Sequence, residues 1–191
     1  MKVLLHICCA PCAIYPLGAL REEGMTVMGF FYPHNIHPYT EMRRRRETLE
    51  VWAPTVGLEV IWQAGYDLEG FIRRVAFREA ERCRICYHHR LQATAKLARH
   101  GHFDAFTSTL FYSKMQSHES LRAAAETAAR ETGVPFLYRD FRDGWKQGIE
   151  TSKALGMYRQ QYCGCIYSEK ERYLGRGKKG RNDRSPVVSD G

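Results

Sequence analysis

MKVLLHICCAPCAIYPLGALREEGMTVMGFFY, residues 1–32, decides the fold. Val3 to Ile7 is a short apolar run of strand length, Val27 to Tyr32 is a second, and the segment between them carries apolar residues at helical spacing. Pro11 suits a first helical position, where its missing N–H costs nothing, and Gly24 suits the end of the helix. The stretch reads strand, helix, strand. Working outward, a helix is expected from about Thr40 to Thr55, a strand over Leu58 to Trp62, and a helix over Tyr87 to Arg99. A β-branched and aromatic run follows from Phe103 to Leu110, then an alanine-rich helix from Ser117 to Thr132 and a fifth strand candidate from Val134 to Tyr138. This alternation predicts an α/β fold, a parallel sheet with helices on both faces and right-handed crossovers.

Ligands of such sheets bind at the carboxyl ends of the strands. Cys8 and Cys9 come directly after the first strand, and Tyr32, Asn35 and His37 directly after the second. Ser108, Thr109, Tyr112, Ser113 and Lys114 follow the fourth, and the loop holding Cys83 and Cys86, just before a helix, can reach the same rim. A metal site at the carboxyl ends of the strands is therefore expected. The 191 residues, 44% hydrophobic and 26% charged, fit one domain, placed at 1–174, followed by a flexible basic tail at 175–191. No run approaches the roughly 18 apolar residues of a membrane span. The start of the chain does not read as an export signal either, so a cytoplasmic protein without a membrane partner is expected. The net charge of +8 makes nucleic acid the first partner to consider, against the plainer reading of a solvated basic surface.

The seven cysteines fall in three clusters, Cys8-Cys9-Ala10-Pro11-Cys12, Cys83-Arg84-Ile85-Cys86 and Cys163-Gly164-Cys165. An odd count, tight clustering and a reducing compartment argue against a disulfide framework and for shared metal ligation. Thiolates select zinc or iron–sulfur clusters, and spacing alone leaves both open beside a thiol redox site. Seven thiols exceed the need of one zinc or one four-iron cluster, so two neighbouring metal positions are plausible. His6, inside the first strand, reads as a hydrogen-bonded core residue, and His88 and His89 as solvated or nucleic-acid-facing. In the run Arg43 to Arg46 the last two fall on or beside the apolar stripe of Met42, Leu49, Trp52, Ala53 and Val56, whereas Arg43 and Arg44 are free to meet phosphate.

LLHICCAPC at Leu4 to Cys12, NIHPYTE at Asn35 to Glu41, RCRICYHHRL at Arg82 to Leu91, STLFYSK at Ser108 to Lys114, DFRDG at Asp140 to Gly144 and YRQQYCGCIYS at Tyr158 to Ser168 resemble, in order, the motifs of the cobalamin-independent epoxyqueuosine reductase family. The resemblance covers about Leu4 to Ser168. It implies a Rossmann-like domain with a four-iron four-sulfur (4Fe-4S) cluster and a second, mononuclear iron. The implied activity is reduction of epoxyqueuosine at the wobble position of the tRNA anticodon to queuosine, the last step of queuosine biosynthesis. Electrons would come from a low-potential donor of ferredoxin or flavodoxin type. Ligand arithmetic assigns Cys8, Cys9, Cys83, Cys86, Cys163 and Cys165 to the two metal centres. Cys12, His37 and Tyr112 remain as candidate proton donors. Two competing readings stand beside it: a zinc-stabilised RNA-binding module without turnover, and an iron–sulfur tRNA thiolation enzyme. The latter should carry an ATP-binding loop where this chain has CCAPC.

Overall fold

The computed structural model describes residues 1–175, so the tail expected at 175–191 lies, beyond Gly175, outside the described residues. Four parallel strands, β1 (Lys2–Ile7), β2 (Thr26–Phe31), β3 (Val60–Trp62) and β4 (Ala105–Ser108), stand in the order β3-β2-β1-β4. Between and after them run α1 (Ala10–Glu22), α2 (Tyr39–Thr55), α3 (Leu68–Val75), α4 (Arg82–His100), α5 (His118–Thr132), α6 (Trp145–Ala154) and α7 (Ile166–Tyr173). The right-handed connections β1-α1-β2 and β2-α2-β3 put α1 and α2 on one face, where α6 joins α1. The return from β3 to β4 carries α4 across the other face, with α5 packed on it. Leu4, Leu5, Ile7, Phe30, Phe31 and Phe106 are fully buried between the layers, and each such side chain contributes about 1.5–3 kcal/mol.

The order in which strands are added reverses beside β1: β2 and β3 lie to one side, β4 to the other. The crevice beyond the carboxyl ends of β1 and β4 is thus the topological switch point, where an open parallel sheet leaves room for a ligand. Cys8 follows β1 there and Thr109 follows β4, and the Cys8 Sγ and Thr109 Oγ1 atoms are 3.7 Å apart.

Several expected elements differ. The fifth strand over Val134 to Tyr138 is not formed; only a bridge between Phe106 and Phe136 remains. Pro135 has no N–H to give, so Phe106 N–H to Pro135 O and Leu137 N–H to Phe106 O complete the pairing. The strand expected over Phe103 to Leu110 stops at Ser108, whose hydroxyl accepts from Leu110 N–H at 3.1 Å and starts a 3-10 turn. Cys83 and Cys86 do not sit in a loop before a helix at Tyr87; α4 begins at Arg82, so both lie on its first two turns. Sequence reading also missed α3, α6 and α7. A cap marks α3, since the Asp67 carboxylate accepts from Gly70 N–H at 2.9 Å.

Candidate metal centre

The first thiol group is built by the junction of β1 and α1. Cys9 is the N-cap residue, extended at φ −171°, and a proline in the first turn follows it. Cys8, Cys9 and Cys12 then converge at the helix N-terminus, their Sγ atoms all within 4.8 Å of one another and all three residues buried. The positive end of α1 favours a thiolate here. Hydrogen bonds from the Cys12 and Cys9 thiols hold Cys8 well below the ordinary thiol range, with the buried guanidinium groups of Arg45 and Arg90 acting in the same direction. Cys12 is correspondingly held up, chiefly by its bond to Cys8, and Cys9 by burial. The side-chain amide of Gln160 reaches the Cys12 Sγ at 3.1 Å.

The other four cysteines, Cys83, Cys86, Cys163 and Cys165, lie on α4 and on the segment that leads into α7, and among the described residues only the triad brings three metal-capable side chains within 4.8 Å. Arg82, next to Cys83 at the start of α4, pairs with Glu171 of α7 and lies 5.7 Å above the Tyr167 ring. That contact brings the N-cap of α7, which is Cys165, toward the first turns of α4. The sulfurs feel one another's charge: Cys83 that of Cys86 and Cys165, and Cys163 that of Cys86 and Cys165. Gln116, itself bonded by the Tyr87 hydroxyl at 2.8 Å, donates its amide to Cys163 Sγ at 3.2 Å. Cys83 and Cys163 are exposed and Cys86 and Cys165 half-buried, in contrast to the buried triad.

The segment carrying Cys163 and Cys165 is locked onto α2. Arg45, 1% exposed, donates to Glu41 at 2.8 Å and, through its two terminal nitrogens, to the carbonyls of Cys163 and Tyr162 at 2.9 Å each. His37 N–H donates to Gly164 O and the Tyr162 hydroxyl to His37 O, both at 2.7 Å. Between the two groups lies a second buried guanidinium, Arg90, which donates to Cys86 Sγ at 3.3 Å and to Asn35 O at 3.1 Å. Two buried cations acting on the thiol triad fit an anionic, thiolate-ligated metal site.

Of the six cysteines expected as ligands, Cys8 and Cys9 meet in one buried group, and Cys12 joins them there. Tyr112 borders the triad, but its hydroxyl donates to Trp145 O at 3.0 Å. His37 is buried with its ring against Phe71 and Tyr66, and Nε2–H donates to His34 O, so neither ring nitrogen bonds a cysteine. His6 is the core residue expected. His89 is half-buried against the Tyr32 hydroxyl at 2.7 Å. Arg90 and Gln116 were not singled out from the sequence. Arg90 had a signal, standing four residues after Cys86 and hence on the same helix face, beside the stripe of Tyr87, Leu91, Thr94 and Ala98.

A family model described as epoxyqueuosine reductase QueH matches residues 3–171. A protein of that name from Dehalococcoides mccartyi is 40% identical over 172 residues, covering 90% of this chain and 94% of its own. One from Thermotoga maritima is 33% identical over 181 residues, covering 89% and 91%. Among solved structures, a predicted subunit of tRNA methyltransferase from Methanocaldococcus jannaschii shares the fold, with a TM-score of 0.53 over 81% of this chain and 76% of that one at 10% identity.

Proposed function

The chain belongs to the epoxyqueuosine reductase QueH family, and from that premise we propose that it reduces epoxyqueuosine in tRNA to queuosine, the last step of queuosine biosynthesis. The reaction breaks both C–O bonds of the epoxide, forms a C=C bond and releases the oxygen as water, consuming two electrons and two protons. The observation that carries the reading to this chain's own residues is the gathering of three buried thiols, Cys8, Cys9 and Cys12, with two buried guanidinium groups acting on them, at the switch point of the sheet.

A 4Fe-4S cluster held by Cys83, Cys86, Cys163 and Cys165 would supply electrons singly, and an iron held by Cys8 and Cys9 would supply a Lewis acid for the epoxide oxygen. The remaining work is done by side chains. Of the three candidate proton carriers, Tyr112 has its O–H committed to Trp145 O. His37 is neutral, burial pushing it down to about 4, and its one N–H is committed to His34 O. Cys12 keeps its proton beside the Cys8 sulfur and is steadied by Gln160. Cys12 Sγ is therefore the proton donor to the departing oxygen. Arg45 holds the Cys163–Cys165 segment in register, and the burial of the triad keeps water from the reduced centre. Electrons come from a donor of ferredoxin or flavodoxin type, and tRNA is held by the basic surface.

Anaerobically iron-loaded protein, given dithionite and tRNA bearing epoxyqueuosine, should yield queuosine on nucleoside analysis; its absence from fully loaded protein overturns the assignment. The closeness of the triad favours a second role for Cys12, that of a third ligand. Cys12→Ala should keep its iron and sulfide and lose most turnover, whereas Cys83→Ala should lose the cluster. Iron loss in Cys12→Ala makes Cys12 a ligand.

A further inference from the structure

The two buried arginines of the centre differ in their partners. Arg45 has a carboxylate, Glu41, at 2.8 Å. Arg90, 2% exposed, has none: among the described residues no acidic side chain pairs with it. Its Nε donates to Cys86 Sγ at 3.3 Å, one terminal nitrogen donates to Asn35 O at 3.1 Å, and the other meets His6 Nε2 at 3.3 Å. An isolated buried cation is costly unless an anion lies close. The charges that act on it favourably are those of Cys86, Cys8 and Cys163.

The third contact fixes chemistry. A guanidinium can only donate, so His6 Nε2 accepts, and the ring's single proton sits on Nδ1 and is donated to Ser108 Oγ at 2.8 Å. His6 and Ser108 face each other as register partners on β1 and β4, with both side chains fully buried. The sheet itself thus aims the imidazole at Arg90.

We propose that Arg90 is a positioning residue, the fixed counter-charge of the thiol centre, spanning from the Cys86 group toward Cys8 and oriented by the His6–Ser108 pair. This rests on the metal-centre reading above but not on the identity of the metal. A cation at this place stabilises thiolates over thiols and stabilises the negative charge that the centre gains on reduction. Arg90 should therefore strengthen metal binding and raise the midpoint potential. Lysine keeps the charge but cannot hold Cys86 Sγ, Asn35 O and His6 Nε2 together.

The test has two arms. Metal-free protein is titrated anaerobically with Co²⁺, read by the sulfur-to-cobalt charge-transfer band, and iron-loaded protein is titrated for its midpoint potential. Arg90→Gln should weaken Co²⁺ binding roughly tenfold and move the midpoint to more negative potential, with Arg90→Lys between it and the parent protein. Wild-type Co²⁺ affinity and midpoint in Arg90→Gln overturn the proposal. Should Arg90→Gln fail to fold, His6→Leu leaves the cation but removes its orienting acceptor. It should shift both readings in the same direction by a smaller amount, and His6→Gln, which restores an acceptor, should return them. No shift in His6→Leu overturns the proposal equally. Protein that takes up no iron on anaerobic loading yet still shows the Co²⁺ differences removes the cluster assignment and leaves the role of Arg90 standing.

Discussion

His37 shows what burial does to a single titratable group in this protein. Its ring lies 4.7 Å from Phe71 and 5.7 Å from Tyr66, it is fully buried, and Nδ1 has no protein partner. Desolvation pushes it from 6.5 to about 4, the bond to His34 O partly offsetting this. The folded pKa lies below the unfolded one, so the unfolded chain takes up a proton that the folded state refuses. The stability at stake is intact above about pH 6.5 and is lost as pH falls through about 4, at about 1.4 kcal/mol per pH unit for one histidine. In urea unfolding of the metal-free protein between pH 4.5 and 7.5, His37→Phe should flatten that slope by this amount; a slope equal to the parent protein's places the effect elsewhere. At this scale the cysteines were legible because clustered soft ligands have few other uses. Arg90 was less so, because an arginine among apolar helix neighbours reads as an ordinary surface side chain until its burial is known.

Among the elements, α2 carries the most consequence for the site. Its stripe of Met42, Leu49, Trp52 and Ala53 is buried as the spacing predicts, but Glu41 and Arg45 are buried with it. They clamp the segment that holds Cys163 and Cys165. Gly164 lies under this clamp with φ at +152°, where a Cβ would come within 3.3 Å of both the Arg45 guanidinium and Asn35 O. Gly164→Ala should cost about 1–3 kcal/mol in thermal unfolding through backbone strain, and should lower the iron retained after gel filtration. Unchanged unfolding and iron content would show that the loop is not held as tightly as the contacts indicate. Of the elements, the β1-α1-β2 unit was readable because Pro11 and Gly24 bracket a helix between two apolar runs. The short helices α3, α6 and α7 were not, since eight to ten residues give too few turns for a period to stand out.

For the whole molecule, the charge of +8 matters only where cations are not spent on neighbours. Arg43 pairs with Glu47 at 2.5 Å and Arg46 with Glu50 at 2.7 Å. Arg44 lies over the Tyr158 ring, 5.7 Å from its centre. Lys114, on the rim after β4, and Arg159, next to the Gln160 that touches Cys12, have no carboxylate partner among the described residues. They are better placed to meet phosphate than Arg43. The double substitution Lys114→Ala with Arg159→Ala should raise the tRNA KM and reduce the slope of log affinity against log salt by about 1.5 to 2, two phosphate contacts' worth. Arg43→Ala should change it little. An unaltered slope in the double variant would place the tRNA on another face.

The amino-acid sequence alone determined the class of fold, the rim on which chemistry would gather and the soft-ligand character of the site, because periodicity, strand ends and thiol clusters are local properties. The family motifs run the length of the domain in order, and they were likewise readable without coordinates. Only the tertiary structure decided that Cys8, Cys9 and Cys12 meet in one buried group, which arginines are buried, and that His6, Ser108 and Arg90 form one chain of contacts from the sheet to Cys86. Those relations join residues up to 102 positions apart. They depend on strand order and on which helix face is covered, and burial turns an ordinary arginine into a counter-charge by removing the water that would otherwise solvate it.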